Sequence, residues 1–109
     1  MNADTPFRLE HVNMPARDPE GLARWYADTL GLRADAHRVR GEGVLLVFQK
    51  GPPVGRQELH IGLRVPSMAV LSQWAAKLGS TITPGAEFTT FRVTDPEGNV
   101  VEIYCKTEG

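Results

Sequence analysis

Cysteine occurs once in this 109-residue chain and histidine three times, and no charge sign dominates, with 12 Lys and Arg against 13 Asp and Glu. A single cysteine, Cys105, cannot close an intrachain disulfide, which agrees with a reducing compartment and makes a cytoplasmic protein the expectation. Cys105 sits in an apolar run and reads as a small core hydrophobe rather than a nucleophile. No apolar stretch approaches the ~20 residues that span a bilayer, so no membrane partner is expected. No charged-then-apolar leader opens the sequence, and nothing in it points to secretion. A nucleic-acid binder carries a clear basic excess. The formal net charge here is -1, so no nucleic-acid partner is expected either. Hydrophobic residues at 41% and charged residues at 23% are ordinary for a soluble globular protein. The length fits one domain over residues 1–109 with a small core, to which a dimer interface would add.

What is present is ordered in two similar halves, about residues 7–50 and 58–106. In the first, residues 7–14 read as a strand. Asp18 and Pro19 read as the N-cap and first position of a helix. Leu22, Trp25, Tyr26 and Leu30 recur at helical spacing, and Gly31 closes the helix. The segments HRVR and VLLVFQK flank Gly41-Glu42-Gly43 as a hairpin. Residues 51–56 (GPPVGR) read as a loop. In the second half, residues 59–65 (LHIGLRV) read as a strand, and Pro66 and Ser67 open a helix lined by Leu71, Trp74, Ala75 and Leu78 that ends at Gly79. The strands TIT, EFTTFRV and VVEIYCK follow, with turns at Pro84-Gly85 and at Asp95-Pro96-Glu97-Gly98-Asn99, where Gly98 would supply the positive φ. The order strand–helix–strands therefore occurs twice. The fold expected is α+β, two βαβββ modules forming a cupped mixed sheet.

His11 and His60 open the two halves at equivalent places, in Leu-Glu-His-Val and Glu-Leu-His-Ile. A lone histidine in a strand is commonly a surface or core residue. Two at equivalent positions, joined with a carboxylate, form a set that chelates Fe, Mn or Zn and leaves positions for water or substrate. Glu102 is the natural third ligand. Its neighbours Val101 and Ile103 are apolar, so strand alternation turns Glu102 to the opposite face, with Val100 and Tyr104. The same alternation groups His60, Gly62 and Arg64, then His11 and Asn13, then Thr90, Arg92 and Thr94. Polar groups on an inner sheet face need partners. A metal with an anionic ligand would supply them, Arg64 and Arg92 pairing with a carboxylate, phosphate or phosphonate. The metal candidates are therefore His11, His60 and Glu102. The substrate-binding candidates are Asn13, Arg64, Arg92 and Phe48, and the catalytic candidates are Tyr104 and Arg92. Asp95 to Asn99 is first of all a turn, and only then a device that positions Glu102.

From about Leu9 to Tyr104 the chain resembles the vicinal oxygen chelate superfamily, which includes glyoxalase I, bleomycin-resistance proteins, fosfomycin-resistance enzymes and extradiol dioxygenases. The resemblance rests on His11-Val12 followed by Asp18, on Trp25-Tyr26 and Leu30-Gly31, on His60-Ile61, and on Asp95-Pro96-Glu97-Gly98-Asn99-Val100-Val101-Glu102. It implies paired βαβββ modules, a divalent metal (Fe, Mn, Zn, Ni or Co) at His11, His60 and Glu102, and a homodimer. In such proteins the substrate commonly chelates the metal through two neighbouring oxygens. The chain also departs from the family's patterns. Leu46 stands where glyoxalase I enzymes place a further carboxylate. Arg92 stands where extradiol dioxygenases carry a Tyr, and no His lies between His60 and Glu102. The first reading is a metal-dependent lyase, isomerase, transferase or dioxygenase acting on a small oxygenated molecule. The alternative is a metal-free small-molecule binding protein of the bleomycin-resistance kind, and the retained triad favours the enzyme. The metal site is built within one chain or across a dimer, and the sequence leaves both open.

Overall fold

A computed structural model describes residues 5–7, 9–53 and 60–108. The expected loop over residues 54–56 and the start of the strand expected at Leu59 lie outside the described residues. The chain divides into two compact units, Met1–Gly51 and Pro52–Gly109. Among the described residues no helix is long and apolar enough to cross a membrane.

The first unit contains β1 (Val12–Ala16), α1 (Pro19–Leu30), β2 (Arg33–Asp35), β3 (Arg38–Gly41) and β4 (Val44–Lys50). This is the expected βαβββ order. Asp18 caps α1 by accepting from the Gly21 amide at 3.0 Å, with Pro19 inside the first turn. The helix stops at Gly31, whose φ of 73° is the left-handed conformation that glycine adopts without a Cβ penalty. The sheet order is β1-β4-β3-β2, with β1 parallel to β4 and the other pairs antiparallel. One sheet face packs under α1 and buries Ala16, Val39, Leu46 and Phe48 against Leu22, Ala23 and Tyr26. Full burial of each large apolar side chain contributes about 1.5–3 kcal/mol. A 12-residue helix is marginal alone, so this packing is what holds α1.

The first strand begins at Val12, later than the sequence pattern predicts, and runs on through Pro15 to Ala16. Its pairing starts at Val12 opposite Leu46, two residues into β4. Pro15 is tolerated because β1 is an edge strand, where a missing amide donor costs little.

The second unit contains β5 (His60–Arg64), α2 (Met68–Leu78), β6 (Phe88–Thr94) and β7 (Val100–Lys106), with sheet order β5-β7-β6. Ser67 caps α2 through the Val70 amide at 3.2 Å. Leu71 and Ala75 of α2 and Phe91, Val101, Ile103 and Cys105 of the sheet are buried, with α2 packed on β6 and β7. Cys105 is thus a core residue, with its Sγ 3.4 Å from the Met68 sulfur.

The expected strand at Thr81–Thr83 is reduced to one bridge, Thr83 opposite Thr90, closed by backbone bonds of 2.7 and 3.1 Å. Toward Thr81, the next bonded pair would use the Arg92 carbonyl, and Ser80 Oγ donates to that acceptor at 2.8 Å instead. The βαβββ pattern is therefore complete in the first unit and abbreviated in the second.

Candidate functional site

The register of the second unit explains how its polar side chains gather. Gly62 of β5 and Arg92 of β6 both lie directly opposite Glu102 of β7. Arg64 and Thr90 lie opposite Tyr104, and His60 lies opposite Val100. Residues opposite one another in a ladder share a face. Because Val101, Ile103 and Cys105 occupy the face under α2, His60, Arg64, Arg92, Glu102 and Tyr104 must share the other one.

On that open face His60 Nε2 stands 3.6 Å from Glu102 Oε1. The second carboxylate oxygen, Oε2, faces Arg92, with Nε and one terminal nitrogen each at 3.4 Å. The two oxygens of one carboxylate thus serve two different neighbours. Neither contact is tight, since charge-assisted N–H···O⁻ bonds run at about 2.7–2.9 Å. With Glu102 22% exposed and Arg92 54% exposed, the ion pair contributes at most about 1 kcal/mol. The arrangement is a loose trio centred on the Glu102 carboxylate.

The donor chemistry fits a divalent ion. Two ligand atoms each about 2.1 Å from one ion at tetrahedral or octahedral angles stand about 3–3.5 Å apart. The separation of 3.6 Å between His60 Nε2 and Glu102 Oε1 differs from that by a few tenths of an ångström. Arg92 on the other oxygen would orient the carboxylate, as hydrogen-bonding partners of metal ligands commonly do. Among the described residues no group of three or more His, Cys, Asp or Glu side chains gathers as a metal cage.

His11 belongs to the first unit. It precedes β1 and is exposed, and its Nδ1 lies 2.9 Å from Glu10 Oε1. That contact leaves Nε2 as the ring nitrogen for other partners. Together with Asn13 it lines a cavity on the first unit's sheet, beside Arg38, Arg40, Leu45 and Val47. Tyr104 is half-buried, and its ring meets Phe88 edge-on at 5.7 Å. Arg64 is exposed across from it. Gly62 faces Glu102 from β5, and a Cβ there would meet the Tyr104 ring at 3.6 Å, an ordinary contact.

Two sequence expectations need correction. Phe48 is fully buried and stacks on Tyr26 with ring centroids 5.5 Å apart, so its ring is core and does not join the open face. Leu46 is also buried beneath α1, and the open face of β4 carries Leu45 and Val47 instead. Those positions are apolar as well, so β4 offers no carboxylate there. Arg38 and Arg40 were missed as candidates. The signal was the alternation Arg-Val-Arg, which on a strand puts both arginines on one face.

Residues 11–104 match the profile of the glyoxalase-like domain, and the chain belongs to that family, within the vicinal oxygen chelate superfamily. No curated protein sequence matches the chain. Among solved structures it is similar to a glyoxalase/bleomycin resistance protein/dioxygenase from Alicyclobacillus acidocaldarius, at 20% identity, 96% coverage of both chains and a TM-score of 0.66. A glyoxylase/bleomycin resistance protein/dioxygenase domain from a Frankia species is similar at 23% identity, 96% coverage of both chains and a TM-score of 0.65. A virulence protein from Salmonella typhimurium shares the fold at 14% identity, with 94% of this chain and 99% of that one covered and a TM-score of 0.65. Identities this low speak for the fold, and activity has to be argued from the site itself.

Proposed function

We propose that this chain is a divalent-metal-dependent enzyme acting on a small oxygenated molecule that bears an anionic group. The observation that carries the reading is the His60–Glu102 pair, two donor atoms of the right chemistry 3.6 Å apart on neighbouring strands of an open sheet face. His11 is proposed as the third ligand, contributed within one chain or from a second copy in a homodimer. A bound divalent ion supplies Lewis-acid polarisation of a carbonyl or hydroxyl oxygen and stabilises the negative charge that develops there. The chain's own groups do the rest. Arg92 would orient Glu102 through its second carboxylate oxygen. Arg92 and Arg64 have guanidinium donors for an anionic group on the substrate, and the Tyr104 hydroxyl is the group proposed to give or take a proton. Isomerase, lyase, transferase and dioxygenase chemistry all use such a site.

A second reading, a metal-free binding protein, draws on a different feature. Arg92 already faces Glu102 at 3.4 Å, so the carboxylate has a counter-charge without any ion. Metal titration separates the two. Chelator-treated protein is titrated with Mn²⁺, Fe²⁺, Co²⁺, Ni²⁺ and Zn²⁺ by calorimetry. The metal reading expects saturable binding of about one ion per chain, lost in both His60→Ala and Glu102→Ala. Absent binding, or binding indifferent to both substitutions, would leave only the metal-free protein.

A further inference from the structure

The first unit holds a second set of charged groups that the His60–Glu102 pair does not use. Arg38 and Arg40 of β3 lie two residues apart, opposite Val47 and Leu45 of β4. Val39 between them is fully buried beneath α1, so both arginines occupy the opposite, open face. Asn13 of β1 faces Val47 from the other side. Together with Glu10 and His11 these residues line a cavity of about 270 Å³.

The charges on this face are unbalanced. Arg33 lies directly opposite Arg40, and like charges in that relation repel unless an anion lies between them. Asp35 lies opposite Arg38 but forms no ion pair with it, and the Glu10 carboxylate is engaged by His11 at 2.9 Å. Among the described residues neither Arg38 nor Arg40 has a hydrogen-bonding or ionic partner. Guanidinium groups match carboxylate oxygens in a two-pronged fashion. Leu45 and Val47 give the cavity an apolar floor, which a bare inorganic anion would not use. The volume lies a little below the range of drug-sized pockets, which sets a small ligand.

We propose that the first unit binds the anionic end of a small organic carboxylate. Arg38 and Arg40 take the carboxylate, Leu45 and Val47 carry the apolar body, and the Asn13 amide offers a hydrogen bond to a neutral oxygen. The proposal rests on the proposed function only in taking the ligand to be anionic. It moves the anion contacts from Arg64 and Arg92 to a different pair of arginines.

The test uses metal-free protein, so its failure is separate from any failure of the metal site. Benzoate, its neutral analogue benzamide, and inorganic phosphate are titrated in turn, followed by NMR of the arginine Nε–H groups and the leucine and valine methyls. Benzoate should give saturating shifts at Arg38, Arg40, Leu45 and Val47, and benzamide and phosphate none at the same concentrations. Arg38→Gln and Arg40→Gln should each weaken benzoate at least about tenfold, the loss expected for a charged hydrogen-bond partner. Arg24→Gln, which removes an exposed positive charge from α1, should leave binding unchanged. All the side chains replaced are exposed, so the variants should fold, and retained methyl dispersion would confirm it. The proposal is overturned by absent shifts, by benzamide or phosphate binding as well as benzoate, or by Arg24→Gln costing as much as the other two.

Discussion

Replacing Asp95 by Ala should lower the stability of the second unit by about 2–4 kcal/mol. Asp95 is 4% exposed, and its carboxylate organises the whole turn between β6 and β7. Oδ1 accepts from the amides of Glu97 and Asn99, both at 2.9 Å, and Oδ2 accepts from the Asn99 side-chain amide, also at 2.9 Å. The backbone adds a bond from the Asp95 amide to the Asn99 carbonyl at 2.9 Å. Asn99 is itself buried, so removing the carboxylate strands both of its donors away from water. Asp95→Asn keeps one acceptor oxygen and should cost about half as much. Urea unfolding followed through Trp74 in α2 measures both. The effect should reach the site, because this turn sets the register that places Arg92 opposite Glu102. Weaker metal binding in folded Asp95→Ala protein would show that coupling.

Phe48→Ala should be the most damaging substitution in the first unit, costing about 3–5 kcal/mol. Its ring is fully buried and stacks on Tyr26 at an interplanar angle of 25°, while Trp25 meets Tyr26 edge-on at 5.0 Å. Truncation leaves a hole under α1 and removes an aromatic contact worth about a further 0.5–1.5 kcal/mol. A domain of this size has roughly 5–15 kcal/mol in total, so the variant should unfold at much lower urea concentration, as read through Trp25. A ligand-wall role for Phe48 predicts the reverse, a near-normal midpoint with weakened ligand binding.

These two residues show what the sequence disclosed and what it withheld. The Asp-Pro-Glu-Gly-Asn turn was legible because its residues are tied to local backbone geometry, and Gly98 does adopt φ 88°. Both helices were legible from their caps and apolar spacing. Glu102 was placed on the open face by its apolar neighbours alone. Phe48 was misplaced because β4 reads Val-Leu-Leu-Val-Phe, apolar on both faces, so its alternation does not say which side lies under the helix. The reduction of Thr81–Thr83 to a bridge was hidden because it depends on Ser80 reaching Arg92, a contact twelve residues away in sequence. The Arg92–Glu102 contact was equally invisible, since it follows from the pairing register of β6 with β7 rather than from any local motif.

The most direct test of the metal reading is anomalous diffraction from crystals of Mn²⁺- or Co²⁺-loaded protein, recorded on either side of the metal absorption edge. The account predicts one anomalous peak per chain about 2.0–2.3 Å from both His60 Nε2 and a Glu102 carboxylate oxygen, with Arg92 retained on the other oxygen. A map without that peak, in which Glu102 stays between His60 and Arg92, would contradict it.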